Sequence, residues 1–420
     1  MNDMNRIGDS PRSVIVVGAG IVGLSTAWFL QDRGVAVTVV DRSRVAAGAS
    51  WGNAGWISPG LAIPLNEPGV MRYGLRSLRD RRAPLHVPAS LNPRLWAFLA
   101  RFAAHSTDRS WERAVRANLP LNDESQEAFD VLAGDGVDTP TVEAPITAAF
   151  RTAAEADGLA RELERLVAAG QELDYTTLTG DEVREHVPQL TDRIGAGIRV
   201  HGQRYVDPGR FTESLARSIV HRGGTVRHGF DVRSVRRDGQ GFVVRSATGQ
   251  YVAADAVVLA TGAWLPRLGR AHGVTVPVRA GRGYSFTVPT DEPATAPIYL
   301  PGIRVACTPY RRGLRVAGTM EFRAPDAALD PARIDAIIES ARPLLTGVCW
   351  DARTDEWVGS RPVSSDGRPL IGVLRDPGLF VAGGHGMWGL THGPITGRLL
   401  AEQITTGKQP EALREFDPTR

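Results

Sequence analysis

A chain of 420 residues, 42% hydrophobic and 23% charged, has the make-up of an ordinary globular protein long enough for two domains or one large α/β domain. The net charge is only +3 and the arginines are spread along the whole length, which argues against nucleic-acid binding, where a basic stripe, domain or tail is expected. Of the 49 basic residues only Lys408, in a polar tail, is lysine, so Schiff-base chemistry is close to excluded; Cys307 and Cys349 form no C-x-x-C pair, disulfide framework or zinc cluster.

The chain opens with VIVVGAGIVGLSTAWFLQDRGVAVTVVD over residues 14–41. Val14–Val17 read as a buried parallel strand, followed by Gly18, Gly20 and Gly23 at G-x-G-x-x-G spacing and then by a helix that stops at Gly34. A second β-branched strand, Val35–Val40, ends at Asp41. Gly18 allows the tight turn, Gly20 lets a pyrophosphate approach the backbone, and Gly23 lets helix and strand pack closely. The helix N-terminus offers N–H groups to phosphate, and Asp41 stands where a carboxylate accepts from a ribose diol. Strand, turn, helix, strand and acid in one unit predict a dinucleotide site. The apolar window 14–30 is explained by this unit, so neither a spanning helix nor a signal peptide is expected, and the cytoplasm is the expected location.

Residues 42–60 are rich in glycine and serine and read as a binding loop. From Glu67 to Ala117 the pattern is largely helical, and Leu121–Asp135 reads as a helix entered after Pro120. A strand follows at Ala144–Arg151, a helix at Ala154–Ala169, and a strand at Ile198–His201. Asp207 and Pro208 start a helix that stops at Gly223 and Gly224. Thr225–Phe230, Asp231–Val235, Gly241–Ser246 and Tyr251–Ala254 suggest an antiparallel meander, and Ala256–Ala260 a buried strand ending in Thr261 and Gly262. Short strands at Tyr284–Val288 and Leu314–Ala317 and a helix at Ala332–Ala341 come next. Near the end, strand Leu379–Val381, turn Ala382–Gly386 and helix Gly393–Thr405 repeat the opening logic.

These elements predict an α/β fold, α+β overall. A Rossmann-like domain of 11–60, 205–265 and 355–415 is interrupted by a second domain of 61–204 and 266–354, with a large, mainly antiparallel sheet and helices. Residues 1–10 and 416–420 are expected to be flexible ends. A second glycine-rich strand–turn–helix near the C-terminus favours FAD over a nicotinamide, because a helix N-terminus aimed at the flavin pyrimidine edge stabilises the charge that gathers there on reduction.

With VGAGIVGLSTAWFL, SWGNAGWISPG, RGYSFTVP, VGSRPVSSDGRPLIG and AGGHGMWGLTHG in this order, the chain resembles the D-amino-acid oxidase-like flavoprotein superfamily, most closely its bacterial D-amino acid dehydrogenase branch. The resemblance implies that Gly18, Ala19, Gly20, Ile21, Val22 and Gly23 hold the ADP half together with Asp41 and Arg42. It places Ser50, Asn53, Ala54 and Gly55 along the pyrophosphate and isoalloxazine, Val232 at the adenine, and Thr261 and Gly262 at the closing edge. Gly384, His385, Gly386, Met387, Trp388, Gly389 and Leu390 would reach the flavin pyrimidine edge. Sarcosine oxidases of this superfamily attach flavin through a cysteine where Gly359 stands here and use a lysine near the flavin that this chain lacks. Non-covalent FAD, and a quinone or carrier protein as electron acceptor, are therefore implied.

Dehydrogenating an amino acid requires a clamped carboxylate, a Cα–H aimed at flavin N5 and a neutral amine; no side-chain nucleophile is needed. The expected reaction gives a 2-oxo acid and ammonia from a D-amino acid. Cyclic or N-alkyl substrates such as D-proline, cis-4-hydroxy-D-proline or sarcosine, as well as glycine, stay open, as does a role as flavin subunit of a larger amine dehydrogenase. Arg361 is the first candidate for the carboxylate, weighed equally against a domain-interface salt bridge or a flavin contact. Tyr284 could add a hydroxyl and His385 a hydrogen bond, each weighed against a structural role; no metal is expected. Along Asn92–Ala104, Leu95, Trp96, Leu99 and Phe102 recur at helical spacing beside Arg94 and Arg101, as in a helix lying on the inner face of a membrane or one packed on the protein itself.

Overall fold

Two large β-sheets of different character organise the chain, whose computed structural model describes residues 10–67, 69, 83–88, 92–311 and 313–420. The first sheet has six strands, in spatial order Thr225–Arg227, Ala36–Val40, Ser13–Val17, Ala256–Leu259, Leu379–Gly383 and Leu370–Val373. Every pairing in it is parallel except the last. Such strands are covered on both faces, which is why their sequences are near-continuous apolar runs. Helices Ile21–Asp32, Pro208–His221 and Gly389–Thr406 cover one face through Trp28, Phe211 and Leu400. The three-stranded meander Val232–Asp238, Gly241–Ser246 and Tyr251–Ala254 covers the other through Phe242 and Val244.

The second sheet has nine strands. Its main path runs Thr354–Ser364, Val278–Pro289, Gly313–Phe322, Val305–Tyr310, Ile298–Leu300, Ile146–Phe150, Ala196–Val200 and Tyr175–Thr179, with Leu85–His86 paired to Gly313–Phe322. It is antiparallel except where Ile298–Leu300 meets Ile146–Phe150 and at Leu85–His86. Helix Pro331–Ala341 packs Ile334 and Ile337 against one face, on Phe286, Leu314 and Val316.

The two ends of the chain meet in the first sheet, where the opening strand Ser13–Val17 and the late strand Leu379–Gly383 flank the same neighbour. Their helices also touch. A Cβ on Gly397 of Gly389–Thr406 would stand 2.6 Å from Ser25 C and Thr26 N of Ile21–Asp32, so only glycine permits this approach.

Several expectations need correction. Thr225–Arg227 joins the parallel sheet instead of the meander, because it pairs with Ala36–Val40. Pro120 lies inside helix Asp108–Asp123: burial of Trp111, Val115 and Leu121 holds the last turn despite the missing N–H. Residues 354–364 form an edge strand of the nine-stranded sheet, so the segment returning to the six-stranded sheet starts later than 355. The end 416–420 is tied down, with Phe416 fully buried and Arg420 Nε donating to Asp366 Oδ2 at 2.8 Å. Residues 1–9, and the parts of the helical expectation falling on 68, 70–82 and 89–91, lie outside the described residues. Helix Pro93–Ala104 turns Leu95, Phe98 and Phe102 inward onto Met320, Phe322 and Val363, so its apolar stripe is a packing face; Trp96 alone of that stripe is largely exposed. No described helix is long and apolar enough to cross a membrane.

Candidate active site

A cleft opens beyond the C-terminal ends of Ser13–Val17 and Ala256–Leu259, where parallel sheets place their ligands. The first glycine turn forms its floor. Gly18 has φ +119°, and a Cβ there would stand 2.3 Å from Ala260 O; at Gly23 it would stand 2.1 Å from Gly18 O. Strand, turn and helix are thus packed to backbone contact, which leaves the turn bare towards the cleft. Ser50 Oγ accepts from Ile21 N at 3.0 Å and so ties the following loop to the helix N-terminus.

Asp41 lies on the cleft wall, its Oδ2 accepting from Ala19 N (2.9 Å) and its Oδ1 from Ser43 N (2.8 Å). These bonds fix the carboxylate and leave it acceptor capacity. Arg42 stacks over Trp264, with Cζ 3.9 Å from the ring centroid, and pairs with Asp326 Oδ1 at 2.7 Å. Trp264 Nε1 donates to Asp326 Oδ2.

Gly18, Gly20, Ile21, Val22, Gly23, Asp41, Arg42, Ser50, Asn53, Val232, Thr261 and Gly262 line this cleft, and so do Arg361, His385, Gly386, Met387, Gly389 and Leu390. Ala19, Ala54, Gly55, Gly384 and Trp388 stand behind the wall and shape it. Ala54 O accepts from Thr308 Oγ1 (2.6 Å), Gly55 has φ +76° beneath Val206 O, Gly384 has φ +73° against Leu370, and Trp388 Nε1 donates to Ile63 O (2.7 Å).

Tyr284 is not on the cleft, which corrects its expected role. Strand alternation turns it into the core with Phe286 and Val288, and its hydroxyl donates to the buried Glu321 Oε2 at 2.8 Å. Burial, then the bond to Glu321, push the phenol up to about 12.

Arg361 comes from the edge strand Thr354–Ser364. Its Nη1 donates to Thr319 O at 3.0 Å, and among the described residues no carboxylate pairs with it. Burial pulls its pKa down to about 10, so it remains a cation near neutrality, held without a counter-ion beside open space. That arrangement suits an anionic ligand. His385 is buried, and its Nε2 shares a hydrogen bond with Thr396 Oγ1 at 2.9 Å while Nδ1 has no partner. Burial holds His385 down at about 4 and His392, bonded through Nε2 to Asn122 Oδ1, at about 3, so both are neutral near pH 7.

These residues fit FAD. Two helix N-termini, of Ile21–Asp32 and Gly389–Thr406, meet at one cleft, and two buried polar atoms on its wall, Thr261 Oγ1 and His385 Nδ1, lack partners. Among the described residues no cluster suits a metal ion. Cys307 is buried, its thiol pushed up to about 12, and a Cβ on Gly359 would stand 2.0 Å from the Trp357 ring, so position 359 has no room for a thiol.

Trp357, Ser360, Pro362, Trp264 and Arg267 also line the cleft and were not singled out from the sequence. The first three lie on the same strand as Arg361, and only its position at the sheet edge reveals them.

The chain matches the family described as FAD dependent oxidoreductase over residues 13–403. It is 32% identical over 409 residues to a D-amino acid dehydrogenase of Methylobacterium sp. (strain 4-46), covering 96% of this chain and 97% of that one. A D-amino acid dehydrogenase of Xylella fastidiosa (strain M23) is 31% identical over 400 residues, covering 93% and 91%. The fold is similar to glycine oxidase from Geobacillus kaustophilus, with a TM-score of 0.74, 23% identity, and 98% and 99% of the two chains covered. With a cleft built for a dinucleotide and a family match over most of its length, the chain belongs to the FAD-dependent oxidoreductases.

Proposed function

We propose that this protein dehydrogenates D-amino acids to 2-oxo acids and ammonia. The observation that carries the reading is Arg361: a half-buried guanidinium without a carboxylate partner among the described residues, on the wall of the dinucleotide cleft beside the late glycine-rich turn. A planar guanidinium holds a carboxylate through two hydrogen bonds and so fixes the substrate's orientation. The D preference rests on the relatives, since the geometry of an arginine alone does not distinguish enantiomers.

FAD, when bound, supplies the acceptor for the hydride that leaves Cα. Gly18, Gly20 and Gly23 would bare the backbone amides to its phosphates, and Asp41 would accept from its ribose. Arg361 clamps the α-carboxylate, and the N-terminal turn of Gly389–Thr406 points its positive end at the cleft. His385, held neutral, offers a hydrogen-bonding nitrogen without adding a cation that would oppose the positive charge developing on the imine as the hydride leaves. The product imine hydrolyses in water and needs no protein nucleophile.

We assign the cofactor to the side of the six-stranded sheet and the substrate to the face of the nine-stranded sheet that carries Arg361. With Lys408 exposed in the tail and no lysine on the cleft, the electrons pass to a quinone or carrier protein in preference to oxygen. Trp96, largely exposed on helix Pro93–Ala104, is the residue of that segment that would meet a membrane surface. Dye-linked turnover with D-amino acids, with ammonia and 2-oxo acid measured together, tests the reading. Equal amounts of both products support it, and neither product from any D-amino acid overturns it.

A further inference from the structure

The strand that carries Arg361 carries a second residue aimed at the same space. Residues 357, 359 and 361 fall on one face of Thr354–Ser364, opposite Ser285, Gly283 and Gly281 of Val278–Pro289. The Trp357 indole lies between two glycines from distant parts of the chain. A Cβ on Gly359 would stand 2.0 Å from its Cη2, and one on Gly52 2.4 Å from its Cδ2. Ser285 Oγ donates to Gly52 O at 2.6 Å and so fastens the upper glycine to the sheet. The ring is therefore fixed, and it lines the cleft beside Arg361.

Most charge on the cleft wall is already paired: Asp231 with Arg267 at 3.1 Å, and Arg42, beside Asp41, with Asp326 at 2.7 Å. At the end around Arg361 the described lining residues beside it are Trp357, Pro362, Met387 and the neutral His385, none of them charged.

We propose that Trp357 is the specificity-determining residue of this end and selects D-amino acids with uncharged, apolar side chains. The inference rests on the reading that Arg361 takes the α-carboxylate. The Cα atoms of Trp357 and Arg361 are four residues apart, roughly 13 Å along the strand, but their side chains lean towards each other. The Trp357 ring edge stands over Gly359 and the Arg361 guanidinium over Gly283, and these two glycines pair across the two strands. A side chain on Cα therefore meets the indole when its carboxylate sits on the guanidinium. An apolar side chain there covers the ring and sheds water. A second carboxylate finds no further cation and an ammonium finds no anion, so both would be buried unpaired.

The test is kcat/KM with a dye acceptor for D-alanine, D-leucine, D-phenylalanine, D-aspartate and D-lysine, on the purified flavoprotein and on Trp357→Ala, Trp357→Phe and, as a control surface change, Trp96→Ala. Wild type is expected to favour D-leucine and D-phenylalanine over D-aspartate and D-lysine by about 100-fold or more. Trp357→Ala is expected to lower the D-phenylalanine to D-alanine ratio about tenfold or more, mainly through KM, with Trp357→Phe recovering most of it. D-aspartate or D-lysine turned over as well as D-leucine, or a ratio unmoved by Trp357→Ala, overturns the inference while leaving the clamp intact. If the variants lose flavin, seen in their visible spectra, the wild-type panel still decides. No turnover of any D-amino acid overturns the reading of the whole site, and the inference with it.

Discussion

The guanidinium of Arg361 rests directly on the backbone of Gly283, so closely that a methyl group at 283 would stand 2.1 Å from Nη2 and 2.2 Å from Cζ. Gly283 is thus the seat of the candidate clamp, on the neighbouring strand. Gly283→Ala should displace the guanidinium and raise KM while FAD stays bound. Arg361→Met, which removes the charge, should lower kcat/KM by about 30-fold or more, from the roughly 2–5 kcal/mol lost when one partner of a desolvated charge pair is truncated. Steady-state kinetics beside the FAD:protein ratio checks both; an unchanged KM in Gly283→Ala would remove Gly283 from this role.

Acidification should destabilise the fold through His385 and His392. Burial holds them at about 4 and about 3, against 6.5 for a free imidazole. Below that value the unfolded chain binds protons that the folded chain refuses, so stability present above pH 6.5 is lost as pH falls towards 4. Each histidine contributes up to about 1.4 kcal/mol per pH unit in this window. Urea unfolding at pH 7 and pH 5 should show the loss, and His392→Asn should make it shallower. Equal midpoints at the two pH values would contradict the assignment.

The contact between the two terminal helices should tolerate no side chain at 397. Gly397→Ala places a methyl group 2.6 Å from the backbone of Ser25 and Thr26 and should cost about 1–3 kcal/mol of stability. The same shift would move the glycine turn of Ile21–Asp32, so FAD affinity should fall with it. Thermal unfolding and FAD titration measure the two effects, and stability within error of wild type would show that the helices do not meet this closely.

Asp326 should matter modestly to cofactor retention. It bridges Arg42 and Trp264 on the cleft wall, yet its side chain is 61% exposed, so solvent screens the pair and limits its worth to about 1 kcal/mol or less. Asp326→Ala should therefore raise the FAD dissociation constant by less than about tenfold, read from flavin fluorescence on dilution. A much larger loss would make Asp326 a principal anchor.

Much of the cofactor side was legible because its signals are local. Gly18, Gly20, Gly23 and Asp41 act within one βαβ unit, where spacing along the chain translates directly into position. Arg361 and His385 could be nominated because each stands in a glycine- or proline-marked turn or strand end. What failed depended on register between distant strands. Whether Tyr284 faces the cleft or the core is decided by pairing with 314–322 and 354–364, and a bulge beside Tyr284 breaks simple alternation along the strand. Trp357 escaped notice for the same reason, since its place depends on glycines at 52 and 359 that only the folded sheet brings together. Thr225–Arg227 was misplaced because three alternating residues look alike in parallel and antiparallel sheets.

Rapid anaerobic mixing of the purified flavoprotein with matched D- and L-amino acids, followed by flavin absorbance, tests the central claim most directly. The account predicts one FAD per chain, full bleaching by an apolar D-amino acid, none by its L-enantiomer, and loss of bleaching at the same substrate concentration in Arg361→Met with FAD content unchanged. A chain that binds no FAD, or a flavin bleached equally well with and without Arg361, would contradict it.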